Sequence, residues 1–511
     1  MAPARPPLLS VALRKKPVAE LLAESGAESA GSPGGSGGGA GGATLDRSIG
    51  LWQLAAIGIS CTVGTGIFFV LTTSVPQAGP AVLLSFVVVA IAAGLTALCY
   101  CELASAIPVS GSSYSYAYAT LGEGVAFAVG ACLLLEYGVA ASATAVSWGE
   151  YLNLFTDLLF GVRLPHALSA APGSGGLVNL PAVVLVGLCC LLLVRGARES
   201  AAVNAVMVAV KVLVLLLFVG VAATGFEAGR LEPFLPLGIA GVGTAASGIF
   251  FSFIGLDAIS TAGEEVRNPR RTVPLALLLS LGVVTALYLA VALTALGAQP
   301  WRAFSGQEAG LAQILERVTG GHWPALVFAG GAVVSIFSVT LVSIYGQTRI
   351  LYAMGRDGLL PPLFAKVSAR TRTPVRNTVV VCVGITVLAA FVPLDVLADL
   401  TSMGTLVAFA VVSVGVMVLR RTQPGLERGF RVPGYPVTPV LSLGACAYLL
   451  YGLHWSTWAL FGVWVGGAAV LYLRYGRHHS RLGRAPAPAR SVPTPRGSAP
   501  DPAPQTPAGL E

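Results

Sequence analysis

The chain has 511 residues, 55% of them hydrophobic and only 11% charged, with a mean hydropathy of +0.78 and a formal charge of +8. Soluble domains carry about 25% charged residues, so this balance excludes an ordinary soluble protein and points to a chain that crosses a membrane many times. Nor does the positive charge indicate nucleic acid: the basic residues are spread through short loops, with no zinc-finger spacing or nucleic-acid module.

In chain order, residues 1–48 are predicted to be a largely flexible segment. Its apolar pieces, Leu8 to Leu13 and Val18 to Leu22, are too short and interrupted for a signal peptide, and a Gly/Ala/Ser tract runs from Gly26 to Ala43. Twelve apolar spans follow, at 51–73, 79–101, 123–150, 177–195, 202–224, 241–262, 274–297, 324–352, 377–393, 397–420, 436–453 and 456–474. The Pro/Ala/Arg-rich stretch 475–511 is predicted to be a disordered tail. With the N-terminus placed inside, 26 of the 31 Lys and Arg residues fall on the inner side. Four (Arg163, Arg230, Arg302 and Arg317) fall outside, and Lys211 lies within a span. That bias predicts cytoplasmic N- and C-termini and an even number of spans. The eight cysteines lie in or beside apolar runs, which argues against a disulfide framework.

Two spans carry their own interruptions. The first contains Ser60-Cys61-Thr62-Val63-Gly64-Thr65-Gly66, and the sixth contains Gly248-Ile249-Phe250-Phe251-Ser252-Phe253-Ile254-Gly255. Each mid-helix glycine costs about 1 kcal/mol relative to alanine, and unwound backbone inside a membrane is tolerated only where it is buried or lines a cavity. Spans 1 and 6 each open a group of five, which points to an inverted repeat with a substrate site at its interface. A half-helix starting after Gly64 to Gly66 offers free N–H groups suited to a carboxylate. The interrupted turn around Phe251 and Ile254 offers carbonyls suited to an ammonium. Together they match the main-chain end of an amino acid. The competing reading is that both glycine clusters serve close helix packing alone.

Two ionisable residues fall inside apolar runs. Lys211 is one of four lysines in the chain. A central lysine costs about 2.5–3.5 kcal/mol on insertion scales, so it is expected to face protein, as a fixed cation in place of sodium or as a proton carrier. Snorkelling to the interface is the structural alternative. Glu136 in span 3 is either proton-linked or an acceptor that fixes packing. Asp257 is expected to cap the broken sixth segment or its neighbour. Glu264 and Glu265, with Arg267, Arg270 and Arg271, form a solvated face or a gate. No P-loop, no metal-ligand spacing among the five histidines and no Gly-x-Ser-x-Gly elbow is present. The chain is therefore read as a non-enzyme with no cofactor and no metal.

Several motifs resemble one known family. They are Leu13-Arg14-Lys15-Lys16-Pro17, Val63 to Phe68, Leu95 to Pro108 leading into Gly111 to Tyr116, Ile254 to Pro274, Tyr345 to Pro361 and Phe430-Arg431-Val432-Pro433. On these, residues 8 to 475 resemble the amino acid–polyamine–organocation (APC) transporters, and within them the cationic amino acid transporter subfamily in its bacterial twelve-helix form. The resemblance implies an all-α membrane protein with a LeuT-type five-plus-five inverted repeat, helices 1 and 6 discontinuous, and two additional C-terminal helices. The repeats would span 49–224 and 241–420, with helices 11 and 12 in 436–474. By the same resemblance, the substrate carboxylate meets backbone at Gly64, Thr65 and Gly66, and its amine meets carbonyls at Thr62, Phe251 and Ile254. Val63, Phe250, Ser252 and Gly255 complete the binding stretch. Lys211 looks like the family lysine that replaces a bound sodium, with Ser343 as its hydroxyl partner and Ser338 second. Glu136 matches an acidic third-helix position. The family often carries glycine where this chain has Ser60, and a small or apolar residue where it has Thr62.

The expectation is a sodium-independent, proton-coupled secondary transporter of L-amino acids in the plasma membrane, working by alternating access. Its partners would be an L-amino acid, protons and the lipid bilayer; a small single-span subunit near helix 1 is a further candidate. The alternatives are an exchanger or uniporter with a permanently charged Lys211, and a non-transporting amino acid receptor.

Overall fold

A computed structural model describes residues 12–21, 49–64, 66–109, 111–195, 201–262, 266–366, 368 and 374–483. The tract Gly26 to Ala43, Thr65, Glu264, Glu265 and the tail beyond 483 lie outside the described residues.

Each predicted span carries helix. The first half contains α1 (Leu51–Thr62), α2 (Val70–Ala78), α3 (Val82–Ala106), α4 (Ser112–Thr120), α5 (Glu123–Phe160), α6 (Leu180–Val194) and α7 (Ala201–Thr224). The second half contains α8 (Gly238–Ile249), α9 (Ala258–Thr261), α10 (Pro269–Ala298), α11 (Gly310–Thr319) and α12 (His322–Arg356), then α13 (Val375–Phe391), α14 (Leu394–Thr422), α15 (Val437–Tyr451) and α16 (Trp455–Leu471). Among the described residues, eight helical stretches are long and apolar enough to cross a membrane, with α2 and α3 counted as one run and α8 to α9 as another. α1, α6, α13 and α15 are apolar but shorter. No strand occurs among these residues; an isolated bridge joins Ile49 to Val266.

Helix ends follow local chemistry. α5 begins after Gly122 (φ +107) with Glu123 in its first turn, where the positive dipole end favours a carboxylate, and stops at Gly161 in the left-handed region. Its 38 residues make about 57 Å at 1.5 Å per residue. That exceeds a ~30 Å hydrocarbon core, so the helix outruns the predicted 123–150. α6 is capped by Asn179, whose Oδ1 accepts from Ala182 N at 3.2 Å. α11 lies outside the predicted spans; it buries Leu311, Ile314 and Leu315 on one face.

Helices meet through small residues and hydroxyls. α12 packs along α5, joined by Thr144 Oγ1 and Thr340 Oγ1 at 2.9 Å, and Ser442 Oγ bridges Thr96 (3.0 Å) and Ser413 (2.9 Å) to join α3, α14 and α15. Such packing replaces the hydrophobic drive that helices lack in lipid.

Two polar knots close one end of the bundle. In the first, Glu102 at the end of α3 is fully buried and takes both Arg420 Nε (2.7 Å) and Nη2 (2.5 Å), with Val432 N at 2.7 Å and Arg428 Nε at 3.3 Å. In the second, Glu123 is also fully buried and accepts from Tyr118 (3.2 Å), Tyr472 (3.1 Å) and Ser480 (2.6 Å), while its N–H donates to Arg14 O at 2.9 Å. Beside it, Asp357 accepts from Tyr114 (2.8 Å), pairs with Lys16 (3.6 Å) and takes Arg481 N on its carbonyl at 3.0 Å. The tail predicted to start at 475 is therefore ordered as far as these contacts, through a π turn at Tyr472–Gly476 and the short helix Arg477–His479. The hydroxyl of Ser480 meets a buried acid there, which the Pro/Ala/Arg composition after it conceals. Residues 12–21 are likewise described and packed, with Val18 and Leu21 buried.

Candidate functional site

The first break is a glycine geometry. Val63 N closes α1 on Ile59 O at 2.7 Å, Val63 is extended, and Gly64 takes φ +155. A Cβ at Gly64 would collide with Val339 of α12 and stand 3.6 Å from Lys211 Nζ. In the sixth segment, α8 passes into a 3-10 turn over Phe250–Phe253, Ile254 is extended, and Gly255 takes φ +103 before α9. The two breaks interlock. A Cβ at Gly66 would overlap Ser252, and one at Gly255 would come within 2.8 Å of Cys61 O. Breaking the helix and packing tightly are thus both served by the same glycines.

Interrupting a helix in an apolar interior strands its carbonyls, and each needs a partner. Lys211, fully buried on α7, donates Nζ to Ser60 O (2.9 Å) and Ser60 Oγ (3.1 Å). Tyr288 of α10 reaches both breaks with one hydroxyl, at 2.8 Å from Thr62 O and 3.1 Å from Ser252 O. Tyr151 of α5 donates to Phe68 O at 2.7 Å, and Ser280 to Ala55 O at 3.0 Å. Tyr288 and Tyr151 are the residues that sequence reasoning missed; a tyrosine inside an otherwise apolar run was the available signal. Ser60 accepts two hydrogen bonds from Lys211, in a place for which the sequence suggested Ser343. The backbone carbonyl at the end of α1 is stranded by the break, while Ser343, on α12, lies along the cavity wall.

A cavity of about 40 Å³ lies between the breaks, with Cys61, Glu136, Phe251, Ile254, Gly255 and Ser343 on its walls. Of the remaining expected site residues, Thr62 is fully buried with its hydroxyl on Gly58 O (2.9 Å), and Val63 is fully buried. Phe250 packs edge-on against Phe409 at 5.9 Å, and Ser252 is buried against Gly66. Thr65 lies outside the described residues.

Glu136 is 2% exposed, and neither carboxyl oxygen has a hydrogen-bond partner among the described residues. The nearby Thr405 hydroxyl donates to Thr401 O at 3.1 Å. Asp257, 1% exposed, stands at the start of α9, but its side chain makes no cap; Oδ2 accepts from Tyr137 at 3.1 Å and Oδ1 has no hydrogen-bond partner among the described residues. The capping role expected of Asp257 is therefore replaced by a contact with α5. Glu136 and Asp257 are both buried, and Tyr137, the next residue after Glu136, donates to Asp257. Among the described residues no group of three or more His, Cys, Asp or Glu could hold a metal.

The sequence pattern of the amino acid permease family matches residues 49–468. A branched-chain amino acid permease of Bacillus subtilis is 44% identical over 86% of this chain and 95% of its own length. A methylthioribose transporter of the same organism is 40% identical over 93% of this chain and all of its own length. Human cationic amino acid transporter 4 is 34% identical over 74% of this chain and 60% of its own length. By that coverage, the chain belongs to the amino acid permease family of the APC superfamily, whose members are membrane transporters and not enzymes.

Proposed function

We propose that the protein is a sodium-independent, proton-coupled secondary transporter of small neutral L-amino acids, working by alternating access in the plasma membrane. The observation that carries this reading is the pair of interlocked breaks facing one cavity, with the buried Glu136 carboxyl on its wall. Gly64, Thr65 and Gly66 would hold the substrate carboxylate through backbone N–H groups. Carbonyls at Thr62, Phe251 and Ile254 would hold its amine, and Val63, Phe250, Ser252 and Gly255 shape the pocket. The cavity walls are mainly apolar, including Ala140, Val339 and Val342, which suits an aliphatic side chain better than a cationic one. A relative named for branched-chain amino acids agrees with that choice. Lys211 braces the end of α1 in the place a bound sodium would otherwise occupy, and Glu136 with Asp257 would carry the proton. In this reading the twelve apolar segments all cross the membrane, 49–224 and 241–420 form the two inverted repeats, 436–474 adds two helices, and the Lys/Arg bias keeps both termini cytoplasmic.

A second reading has one specific support. The Lys211 amine donates to two acceptors of Ser60, a setting that suits a permanently charged ammonium. In that case the protein is an exchanger or uniporter. Purified protein in liposomes, given labelled L-alanine without sodium and with or without an inward proton gradient, separates the two. Gradient-driven accumulation, lost in Lys211→Ala and Glu136→Gln and competed by L-leucine better than by L-arginine, is the expected result. Gradient-independent equilibration that Glu136→Gln leaves unchanged moves the assignment to the second reading. No uptake of any amino acid overturns both.

A further inference from the structure

A second cavity lies about 20 Å along α5 from Glu136, at 1.5 Å per residue, on the side away from the Glu123 knot. It is enclosed by α5, the 161–179 connection, Glu308 and the turn at Pro393 and Leu394. Its free volume is about 80 Å³, larger than that of the central cavity and well above the ~10–15 Å³ that one water needs.

The walls hold unmet chemistry. Asn179 is 1% exposed; its Oδ1 is used in capping α6, while Nδ2 has no hydrogen-bond partner among the described residues. Glu150 shares the cavity-facing side of α5 with Val146 and Asn153, at helical spacing. Glu308 is held by Arg163 at 3.0 Å, with His166 Nε2 at 3.9 Å from its other oxygen. Asn153 Oδ1 is fixed by Leu164 N at 2.7 Å. A buried amide N–H needs an acceptor, and the half-buried carboxyl of Glu150 can accept from a cation. A small molecule with an ammonium beside an oxygen acceptor answers both at once, and the basic side chains Arg163 and His166 lie at the more exposed rim.

We propose that this cavity is a second binding site for a small free amino acid, with its ammonium on Glu150 and its carboxylate on Asn179 Nδ2. The choice of ligand class rests on the transport reading above; the site itself does not. Occupancy would tie the end of α5 to connections from the second half of the chain.

The test is equilibrium dialysis of purified full-length protein against labelled L-alanine, beside uptake into liposomes. Three isosteric or small changes are compared. Glu150→Gln removes the charge, Asn179→Asp keeps the capping oxygen but replaces the donor, and Gly66→Ala closes the central site. Monodisperse elution on size exclusion serves as the folding check. The expected result is two equivalents bound by the native chain and one by each variant, with uptake at low substrate retained in Glu150→Gln and Asn179→Asp. Thermal protection of Gly66→Ala by L-alanine, abolished by adding Glu150→Gln, is the second readout. One equivalent in the native chain, lost in Gly66→Ala, means the outer cavity holds ordered water only and overturns the proposal while the transport reading stands. A second equivalent untouched by Glu150→Gln and Asn179→Asp also overturns it. Binding retained by Gly66→Ala when the native chain itself shows no uptake would sustain this site and sink the transport reading; neither binding nor uptake in the native chain sinks both.

Discussion

Tyr288→Phe tests the idea that one hydroxyl holds the two helix breaks together. The ring would keep its edge-on contacts with Phe253 (5.4 Å) and Phe86 (6.4 Å), so packing is preserved and only the O–H is lost. That O–H lies 2.8 Å from Thr62 O and 3.1 Å from Ser252 O, and Thr62, Ser252 and Tyr288 are all fully buried. A single hydroxyl donates one proton, shared between these acceptors. Its removal leaves at least one buried carbonyl unpaired, which costs about 1–3 kcal/mol. That range corresponds to roughly 5–150-fold in a conformational equilibrium. The described conformation, with the breaks locked, should lose that much against states in which they separate. The purified variant should melt earlier in detergent than the native chain, and its uptake into liposomes should change by a similar factor in rate. Tyr151→Phe is the control: it removes a 2.7 Å bond to Phe68 O at one break only, so it should lower melting without a comparable change in uptake. If Tyr288→Phe matches the native chain in both melting and uptake, the carbonyls are satisfied some other way and the reasoning fails.

Two further outcomes follow from contacts described above. Gly66→Ala places a methyl group against Ser252; overpacking of this kind costs about 1–3 kcal/mol, and because the breaks must move apart to admit it, uptake should be lost while the protein still elutes as a single species. Glu102→Ala removes the partner of Arg420 and Arg428 from a fully buried site; breaking a buried pair costs about 3–5 kcal/mol, so the yield of monodisperse protein should collapse, and a normal yield would show that the knot is decorative.

The helical segments were legible because membrane physics writes them in long apolar runs, and eight of the helical stretches meet that length in the structure. The breaks were legible because Gly64, Gly66 and Gly255 sit where a helix should continue. Lys211 and Glu136 stood out because a charge in such a run demands an explanation. What escaped is what depends on distant partners. The bond from Lys211 goes to Ser60, 151 residues earlier in the chain, and no local pattern favours it over Ser343. Tyr288 reads as an ordinary core aromatic until both carbonyls are placed beside it. Asp257 looked like a cap because it precedes a short helical turn, but a half-buried tyrosine on another helix claimed its carboxylate. The knot at Glu123 was invisible for the same reason, since its acid meets Ser480 across 357 residues of chain.

That separation sets a schedule for biosynthesis. Glu123 opens its helix early in translation, but Tyr472 and Ser480, two of its three hydroxyl donors, are made 349 and 357 residues later. At about 5–20 residues per second, the ribosome needs roughly 20–70 s to deliver them. During that interval the carboxylate has to stay hydrated at the rim of a half-built bundle, and the segment around it cannot settle into its final burial. Arrival of the Tyr472–Ser480 stretch therefore acts as a proofreading signature: a nascent protein cut off before Tyr472 would leave a buried acid without two of its three hydroxyl donors.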